Sequence, residues 1–453
     1  MTAFVKLSTP QLKLLHQGKV RDSYRVDDNH RLLVATDRLS CFDSVLPTPM
    51  PGKGAILTQM SECWFKKAQD IIPTHFVETI SPNMTLVKEA KPFAIEMIVR
   101  GFLSGSMWKR YEKGERVFWD LKLPDGMQKD QELPQALVTP TTKEKIDRPI
   151  TKAAIIEEGW ATSAEYEQME QVSLKLFQMG KETCKAKGVV LVDTKYEFGV
   201  TDKGLTLIDE IHTPDSSRFW LADNKEPMDK EFIRQWLLEH KPEGHVVPDE
   251  VIEEGLKRYE NVFARLFEQC HPHSTIPSGV RAYHDLTNRD FIKKGLIVIV
   301  MGSKSDLPHA QAIAKHFPSK DIAVHFRIVS AHKNGERIME FASFYNHTLE
   351  PTCVIAIAGR SNGLGGALAA NLTVPVISCP PFKDGADISI NIYSSLMMPS
   401  KAPALTAIYP EQAALAAMRA LNLQSLREVL NQDIVSMKAD LKSSDDELVG
   451  QNL

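Results

Sequence analysis

The clearest signal in this chain is a set of short, uninterrupted apolar runs near its C-terminal end. GLIVIVMGS (295–303), FRIVSAH (326–332), TCVIAIAGRS (352–361) and VPVISCP (374–380) are separated by helix-patterned sequence, and each closes on or near small or polar residues. Continuous hydrophobicity marks strands buried on both faces, so these runs predict a parallel sheet in an α/β domain. Such sheets bind ligands beyond the carboxyl ends of their strands, and chemistry is expected on those loops. Before residue 265 the pattern is mixed, with helices predicted over 163–187 and 248–268 and an antiparallel ribbon over 189–200 with 205–213, which reads as α+β.

Within that ribbon, alternation places Asp193, Lys195 and Glu197 on one face and Val192, Tyr196 and Phe198 on the other. A three-residue hairpin loop, Asp202-Lys203-Gly204, would set Glu197 opposite Asp209. The stretch CHPHSTIPSGVRAYHDLTNRD (270–290) lacks sustained periodicity and reads as a linker, giving domains at 1–268 and 295–453 joined by 269–294. Residues 409–432 look helical, and the polar end SSDDELVGQNL is expected to fray.

A length of 453 residues agrees with more than one core. A net charge of −4, with 25% charged residues, gives no bulk sign of a nucleic-acid or membrane binder. The opening MTAFVKLSTPQLKLL lacks the features of a signal peptide, and no run approaches the ~18 apolar residues of a membrane span, so a cytoplasmic location is expected. Six scattered cysteines without CxxC or zinc-ligand spacing read as buried thiols.

Two facing carboxylates repel, so Glu197 and Asp209 call for a cation. Magnesium with nucleotide phosphates satisfies the pattern, and so does a solvated face with Lys195 as counter-ion. HQGKVRDSY (16–24) sets Gly18 beside Lys19 and Arg21, as a phosphate-contacting turn would and as many surface turns do. IVRGFLSGSMWKRY (98–111) ends a strand at Arg100 and continues through Ser106, suiting a phosphate, a carboxylate or an exposed ion pair.

In the C-terminal part, the strand-end groups Gly302 to Asp306, Ser330 to Lys333, Gly359 to Gly365 and Ser378 to Pro381 converge on one expected site. The first can offer backbone N–H groups to a phosphate at the start of a helix near 306–316, but it is neither a Walker A loop nor GxGxxG. His332 is the natural proton carrier, with Lys333 beside it.

GKVRDSY, ATDRLSCFD (35–43), VRGFLSGS, VDTKYEFG (192–199) and DEIHTPDSSRFW (209–220), in this order, resemble the phosphoribosylaminoimidazole-succinocarboxamide (SAICAR) synthetase family over roughly residues 10–265. The resemblance implies an ATP-grasp-like α+β fold holding ATP and Mg²⁺. It assigns Lys19 and Arg21 to nucleotide phosphates, Lys195, Glu197 and Asp209 to the ATP and magnesium centre, and Arg100, Ser106, Asp215, Arg218 and Arg234 to the carboxylated aminoimidazole ribonucleotide (CAIR). The implied reaction activates the imidazole carboxylate by phosphorylation and lets the amine of L-aspartate displace phosphate. Family members often carry a longer Lys-Ala-Glu-x-x-His-Asp-like segment where this chain reads TPTTKEKIDRPI (139–150), so a shortened loop is expected around Lys143 and Asp147.

GSKSD, SAHK and AGRSNGLGG, over roughly 295–430, resemble phosphoribosylaminoimidazole (AIR) carboxylase, which implies a flavodoxin-like three-layer sandwich with a parallel sheet. The resemblance places AIR and CO₂ on Ser303, Ser305, Asp306, Ser330, Lys333 and the loop Gly359, Arg360, Ser361, Asn362 and Gly363, with His332 and Lys333 catalytic. His332-Lys333 and GRSNGLG match the branch using CO₂ directly without biotin, whereas the alternative, a mutase moving a carboxylate from nitrogen to carbon, typically reads His-Arg and Gly-Ala-Gly-Gly-Ala-Ala-His. It also implies a homo-oligomer, an octamer by family habit. A second alternative is that one domain is a degenerate binding or assembly module.

Overall fold

The computed structural model describes residues 3–119, 121–144, 147–267, 279–359, 361–403 and 405–450. Backbone contacts divide the chain into two units, one running to Leu7 and again from Lys13 to Ala282, the other combining Ser8–Leu12 with Tyr283–Leu453.

The first unit is α+β. Among the described residues its larger sheet is antiparallel and six-stranded, in the order Glu132–Val138, Lys91–Phe102, Val189–Thr201, Gly204–Ile208, with Thr141–Thr142 also paired to Lys91–Phe102 and Ser217–Leu221 also paired to Val189–Thr201. A second sheet runs Lys13–Gln17, Arg21–Arg25, His30–Ala35, Met84–Lys88, Phe76–Ser81. The helix Ser163–Lys185 begins in a capping box, Thr162 and Glu165 each accepting from the other's backbone N–H, an arrangement worth ~1 kcal/mol. Its Leu176 and Phe177 join Tyr196 and Phe198 of the central strand, Trp64 of Lys53–Ala68 and Phe263 of Asp249–Leu266 in one core. The central strand therefore alternates as expected, with its aromatic face buried.

The hairpin register differs from expectation by one residue. Thr201 pairs with Gly204, so the loop is only Asp202-Lys203, and Glu197 stands opposite Ile208 instead of Asp209. Across the other edge, Glu197 faces Glu96. A slip of one position ought to send Asp209 to the core face. The strand stops at Ile208, however, and Asp209 turns through a left-handed φ of 66°.

The second unit is a parallel five-stranded sheet among the described residues, ordered Ile322–Ile328, Gly295–Met301, Thr352–Ile357, Val376–Ser378, Leu405–Thr406. Counted within the unit this is 2-1-3-4-5, the flavodoxin-like order, with its switch point between the first and third strands. Every residue of Gly295–Met301 and Thr352–Ile357 is buried, which accounts for their unbroken hydrophobicity. Ile313, Ala417 and Leu426 pack with Ile297, Ile299 and Ile355 in one cluster, while Phe341 and Leu368 pack with Val298, Val300 and Val354 in another, giving three layers. The Ser8–Leu12 segment is held in this unit by the Gln11 amide, which pairs with both backbone groups of Lys293 at 2.6 and 3.2 Å, and by Thr9 and Gln11 donating to buried Glu350.

Three local expectations change. The expected linker lies outside the described residues as far as 278, and Gly279–Thr287 beyond it is helical. Residues 409–432 form two helices, Pro410–Leu421 and the start of Gln424–Gly450, broken at Asn422 with φ 55°. The polar end stays helical to Gly450, because a run of good helix formers such as Lys, Glu, Leu and Ala needs no core to continue a helix already nucleated on Leu426 and Leu430.

His212 gives the first unit a pH dependence. It is fully buried, edge-on to Trp64 at 4.7 Å, with Nε2 2.6 Å from the Tyr196 hydroxyl. Burial pushes its pKa down from 6.5 to about 3, so it stays neutral in the fold while the unfolded chain takes up a proton. This contribution is fully present above pH ~6.5 and is lost as pH falls toward the folded value. Urea unfolding at pH 6.5 and pH 5 should show the parent first unit losing about 2 kcal/mol more than His212→Gln over that interval.

Candidate active sites

In the first unit, the charged face of Val189–Thr201 meets residues from four other segments. The Lys195 ammonium lies 2.8 Å from Glu96 Oε1, 2.5 Å from Glu197 Oε1 and 3.9 Å from Asp209 Oδ2. Lys143 pairs with the second oxygen of Glu197. Arg21 pairs with Asp209 and, at 2.9 Å, with Glu210. Burial alone would lower the Lys195 pKa, but Glu197, Asp209 and Glu96 raise it well above its ordinary value. Burial likewise works against the Asp209 carboxylate, and Arg21, Lys195 and Lys143 more than offset it, holding the group well below the usual range. Lys195 is thus a fixed charge and not a proton shuttle.

The donor chemistry suits magnesium. Glu197 and Asp209 offer hard carboxylate oxygens around one ammonium, yet among the described residues no three His, Cys, Asp or Glu side chains could hold an ion alone. Magnesium is ordinarily bound by one or two carboxylates together with substrate phosphates. Of the residues assigned to the nucleotide, Arg21 is engaged with the carboxylates, whereas Lys19 sits at the surface, 2.8 Å from Asp43. Lys143 reaches the cluster and Asp147 is exposed; residues 145 and 146 lie outside the described residues.

Of the residues assigned to the imidazole nucleotide, Arg100 and Arg218 meet at Asp193. Arg218 grips that carboxylate through Nε and Nη2, Arg100 Nη1 approaches it at 3.6 Å, and Arg218 Nη1 donates to Ser104 at 3.0 Å. Gly105, with φ 57°, lets this guanidinium lie against the backbone, since a β-carbon there would be 2.7 Å from Arg218 Nη1. Ser106 is exposed in the first turn of Gly105–Glu112. Arg234 pairs with Glu231 at 3.4 Å and contributes to lowering the Asp193 pKa. The Asp215 side chain is buried and already satisfied by Lys53 Nζ at 2.8 Å and the Tyr259 hydroxyl at 2.9 Å. Glu96, Lys53, Asp193 and Glu210 were not among the expected site residues. Lys53 between Gly52 and Gly54 ahead of an apolar helix was a readable oddity; Glu96, on a strand of unremarkable pattern, was not.

In the second unit, contacts join all four strand-end loops. Gly302 N donates to Ile357 O at 3.0 Å. A β-carbon at Gly363 would lie 2.9 Å from His332 Cε1, so the imidazole packs on the third loop. Asn362 Nδ2 donates to Ser378 Oγ at 2.7 Å, and Gly359 faces Pro381. Ser303 and Asp306 cap each other, with Ser303 Oγ 2.5 Å from Ser305 Oγ. Ser330 N donates to Asn334 Oδ1 at 2.8 Å. His332, Lys333, Ser305 and Ser361 are exposed, whereas Asn362 is buried, its amide also accepting from Gly365 N at 3.0 Å. Arg360 lies outside the described residues. Cys379 is buried 3.4 Å from His309 Nε2, and burial pushes its thiol up to about 12, leaving no thiolate nucleophile at neutral pH.

A family profile described as SAICAR synthetase matches residues 14–250, and one described as AIR carboxylase matches 296–443. The phosphoribosylaminoimidazole-succinocarboxamide synthase of Legionella pneumophila (strain Paris) is 45% identical over 241 residues, covering 50% of this chain and 77% of its own. Its counterpart from Methylobacillus flagellatus is 39% identical over 293 residues, covering 58% of this chain and 98% of its own. Among solved structures, the SAICAR synthase of Saccharomyces cerevisiae complexed with SAICAR is similar with a TM-score of 0.53 and 31% identity, over 58% of this chain and 98% of that one.

The Asp193 grip should be visible in stability. Arg218→Ala leaves a largely buried carboxylate with Arg100, at 3.6 Å, as its remaining ion-pair partner, and is expected to cost the first unit about 3 kcal/mol in urea unfolding. Adding Asp193→Asn should recover part of that loss, because the two residues share one interaction.

Proposed function

This chain belongs to the SAICAR synthetase family and carries an AIR carboxylase domain after it, and from that premise we propose that it performs two consecutive steps of purine nucleotide synthesis. The second unit carboxylates AIR with CO₂ to give CAIR, acting as a lyase by class. The first unit, an ATP-dependent ligase, joins CAIR to L-aspartate with Mg·ATP, yielding SAICAR, ADP and phosphate. In this reading residues 1–268 carry the ligase, 295–453 the carboxylase and 269–294 the connection.

The observation that carries the ligase reading is the Lys195 ammonium lying between Glu96, Glu197 and Asp209. Glu197 and Asp209 would hold magnesium, which when bound offsets phosphate charge during phosphoryl transfer. Lys195 and Arg21 place positive charge beside those carboxylates, and Lys19 would contact phosphate from the surface. Arg100, Ser106, Asp215, Arg218 and Arg234 would orient CAIR, with Asp215 itself held by Lys53 and Tyr259. Phosphorylation makes the imidazole carboxylate an acyl phosphate, and attack by the aspartate amine expels phosphate. The fixed charges of the site suit a reaction governed by positioning and charge compensation.

For the carboxylase, His332 is exposed at a strand end and packs on Gly363, where it can remove the C4 proton of AIR after C4 attacks CO₂. Lys333 would stabilise the new carboxylate. Ser303, Ser305, Asp306 and Ser330 would hold the nucleotide, and the loop of Gly359, Arg360, Ser361, Asn362 and Gly363 would surround CO₂, with buried Asn362 serving as its anchor. His332-Lys333 and GRSNGLG favour the CO₂-using branch, which needs no biotin. Among the described residues no helix is long and apolar enough to cross a membrane. We place the enzyme in the cytoplasm as a homo-oligomer, an octamer by resemblance.

The test is to give the purified chain AIR and freshly dissolved CO₂ without ATP, and then add Mg·ATP and aspartate while following both products. Carboxylation before ATP and amide formation after it are expected. Amide formation only from supplied CAIR would return the second unit to the mutase or the binding-module reading. Glu197→Gln should reduce amide formation a hundredfold or more (~10² or above) while sparing carboxylation, and His332→Asn should do the reverse. Loss of both activities from either change would refute two independent sites.

A further inference from the structure

Arg38, within ATDRLSCFD, has all five of its guanidinium N–H groups engaged. Nη1 and Nη2 donate to the Asp22 carboxylate at 3.1 and 2.6 Å, Nη1 also to Val5 O at 2.8 Å, Nη2 also to Gly18 O at 3.0 Å, and Nε to Lys19 O at 3.1 Å. Two residues earlier, Thr36 holds Val20: its N–H and its hydroxyl donate to Val20 O at 2.9 and 2.7 Å. The consecutive carbonyls of Gly18, Lys19 and Val20, in the turn between Lys13–Gln17 and Arg21–Arg25, are thus drawn toward one segment. The turn closes at Gly18, whose N–H donates to Arg21 O at 2.8 Å and where a β-carbon would stand 2.5 Å from that oxygen.

Neutralising Asp22 does not by itself call for this arrangement. Its side chain is 1% exposed, and two parallel N–H groups suffice for a carboxylate. The other N–H groups of Arg38 go to backbone carbonyls, and two of those carbonyls belong to the turn. A trans peptide is planar and points its N–H away from its C=O. Holding the Gly18 and Lys19 carbonyls toward Arg38 therefore aims the N–H groups of Lys19 and Val20 the opposite way. Neither donates to a protein group among the described residues, and Lys19 is exposed. Successive backbone N–H groups in a turn can cradle an anion, and the Lys19 side chain adds its charge.

We propose that Arg38 is a positioning residue for the nucleotide: by drawing back the Gly18 and Lys19 carbonyls, it presents the Lys19 and Val20 N–H groups to the phosphates. The inference rests on the reading of this turn as a phosphate contact.

The test titrates ADP and adenosine, at constant Mg²⁺, into the full chain and its variants by calorimetry. Arg38→Lys keeps a positive charge beside Asp22 but cannot reproduce the planar fork that spans both turn carbonyls. It should weaken ADP about tenfold, the loss expected if the freed turn holds its binding geometry about a tenth of the time. Adenosine affinity should not change, whereas an arginine that only supports the fold would weaken both probes alike or neither. Should Arg38→Lys fail to fold, as read by urea unfolding, Arg38→Gln combined with Asp22→Asn replaces the buried pair by neutral amides and should show the same ADP-specific loss. Lys19→Ala tests the premise and should weaken ADP on its own. Unchanged ADP affinity in the folded Arg38 variant, or equal weakening of ADP and adenosine, would overturn the proposal. If Lys19→Ala also leaves ADP unchanged, the phosphate reading of the turn falls with it.

Discussion

One ammonium group organises the first unit. Lys195 touches Glu96 and Glu197 and lies near Asp209, while Arg21 and Lys143 complete the balance from the sides. Four carboxylates gathered here, with Glu210 the fourth, would repel one another without these cations, and even beside Lys195 burial holds the Glu96 pKa above its ordinary value. Each charge is tolerable only because its neighbours are present and fixed. That requirement explains why the cluster stands on strands: the opposite face of Val189–Thr201 is anchored by fully buried Tyr196 and Phe198, and a side chain on such a strand cannot drift.

The second unit meets the opposite constraint. Its central strands are buried on both faces and have no room for charge, so polar chemistry is displaced to the strand ends. Loops are then the problem, because exposed backbone is mobile unless tied down. Asn362 is the tie: its amide caps the helix Gly363–Asn371 and reaches Ser378 and Ser395, and Gly365 lacks a β-carbon that would lie 2.4 Å from Ser378 Oγ. With those groups committed to scaffold, His332, Lys333 and Ser361 remain exposed. The proposed reactions would draw on these two designs differently, phosphoryl transfer on the fixed array of charges and carboxylation on the open rim.

Much of this was legible in the residues alone. Unbroken apolar runs located the parallel strands, alternation over 192–198 separated charged from core face, and ordered motifs marked both families. Each depends on spacing along a few residues, which strand and helix geometry reads directly. The tertiary structure decided the rest. Glu96 lies 99 residues from Lys195, and Lys53 lies 162 from Asp215, distances over which no local period carries information and only sheet order chooses partners. The hairpin closed one residue tighter than its turn letters suggested and set Ile208 opposite Glu197; the carboxylate facing Glu197 is Glu96, across the other edge, and Asp209 comes to the cluster through a left-handed backbone. The sequence by itself determined which faces were charged and which buried, because side-chain direction follows from the period of the backbone; which charges met was settled by register and chain crossing, which depend on packing among segments far apart in the chain.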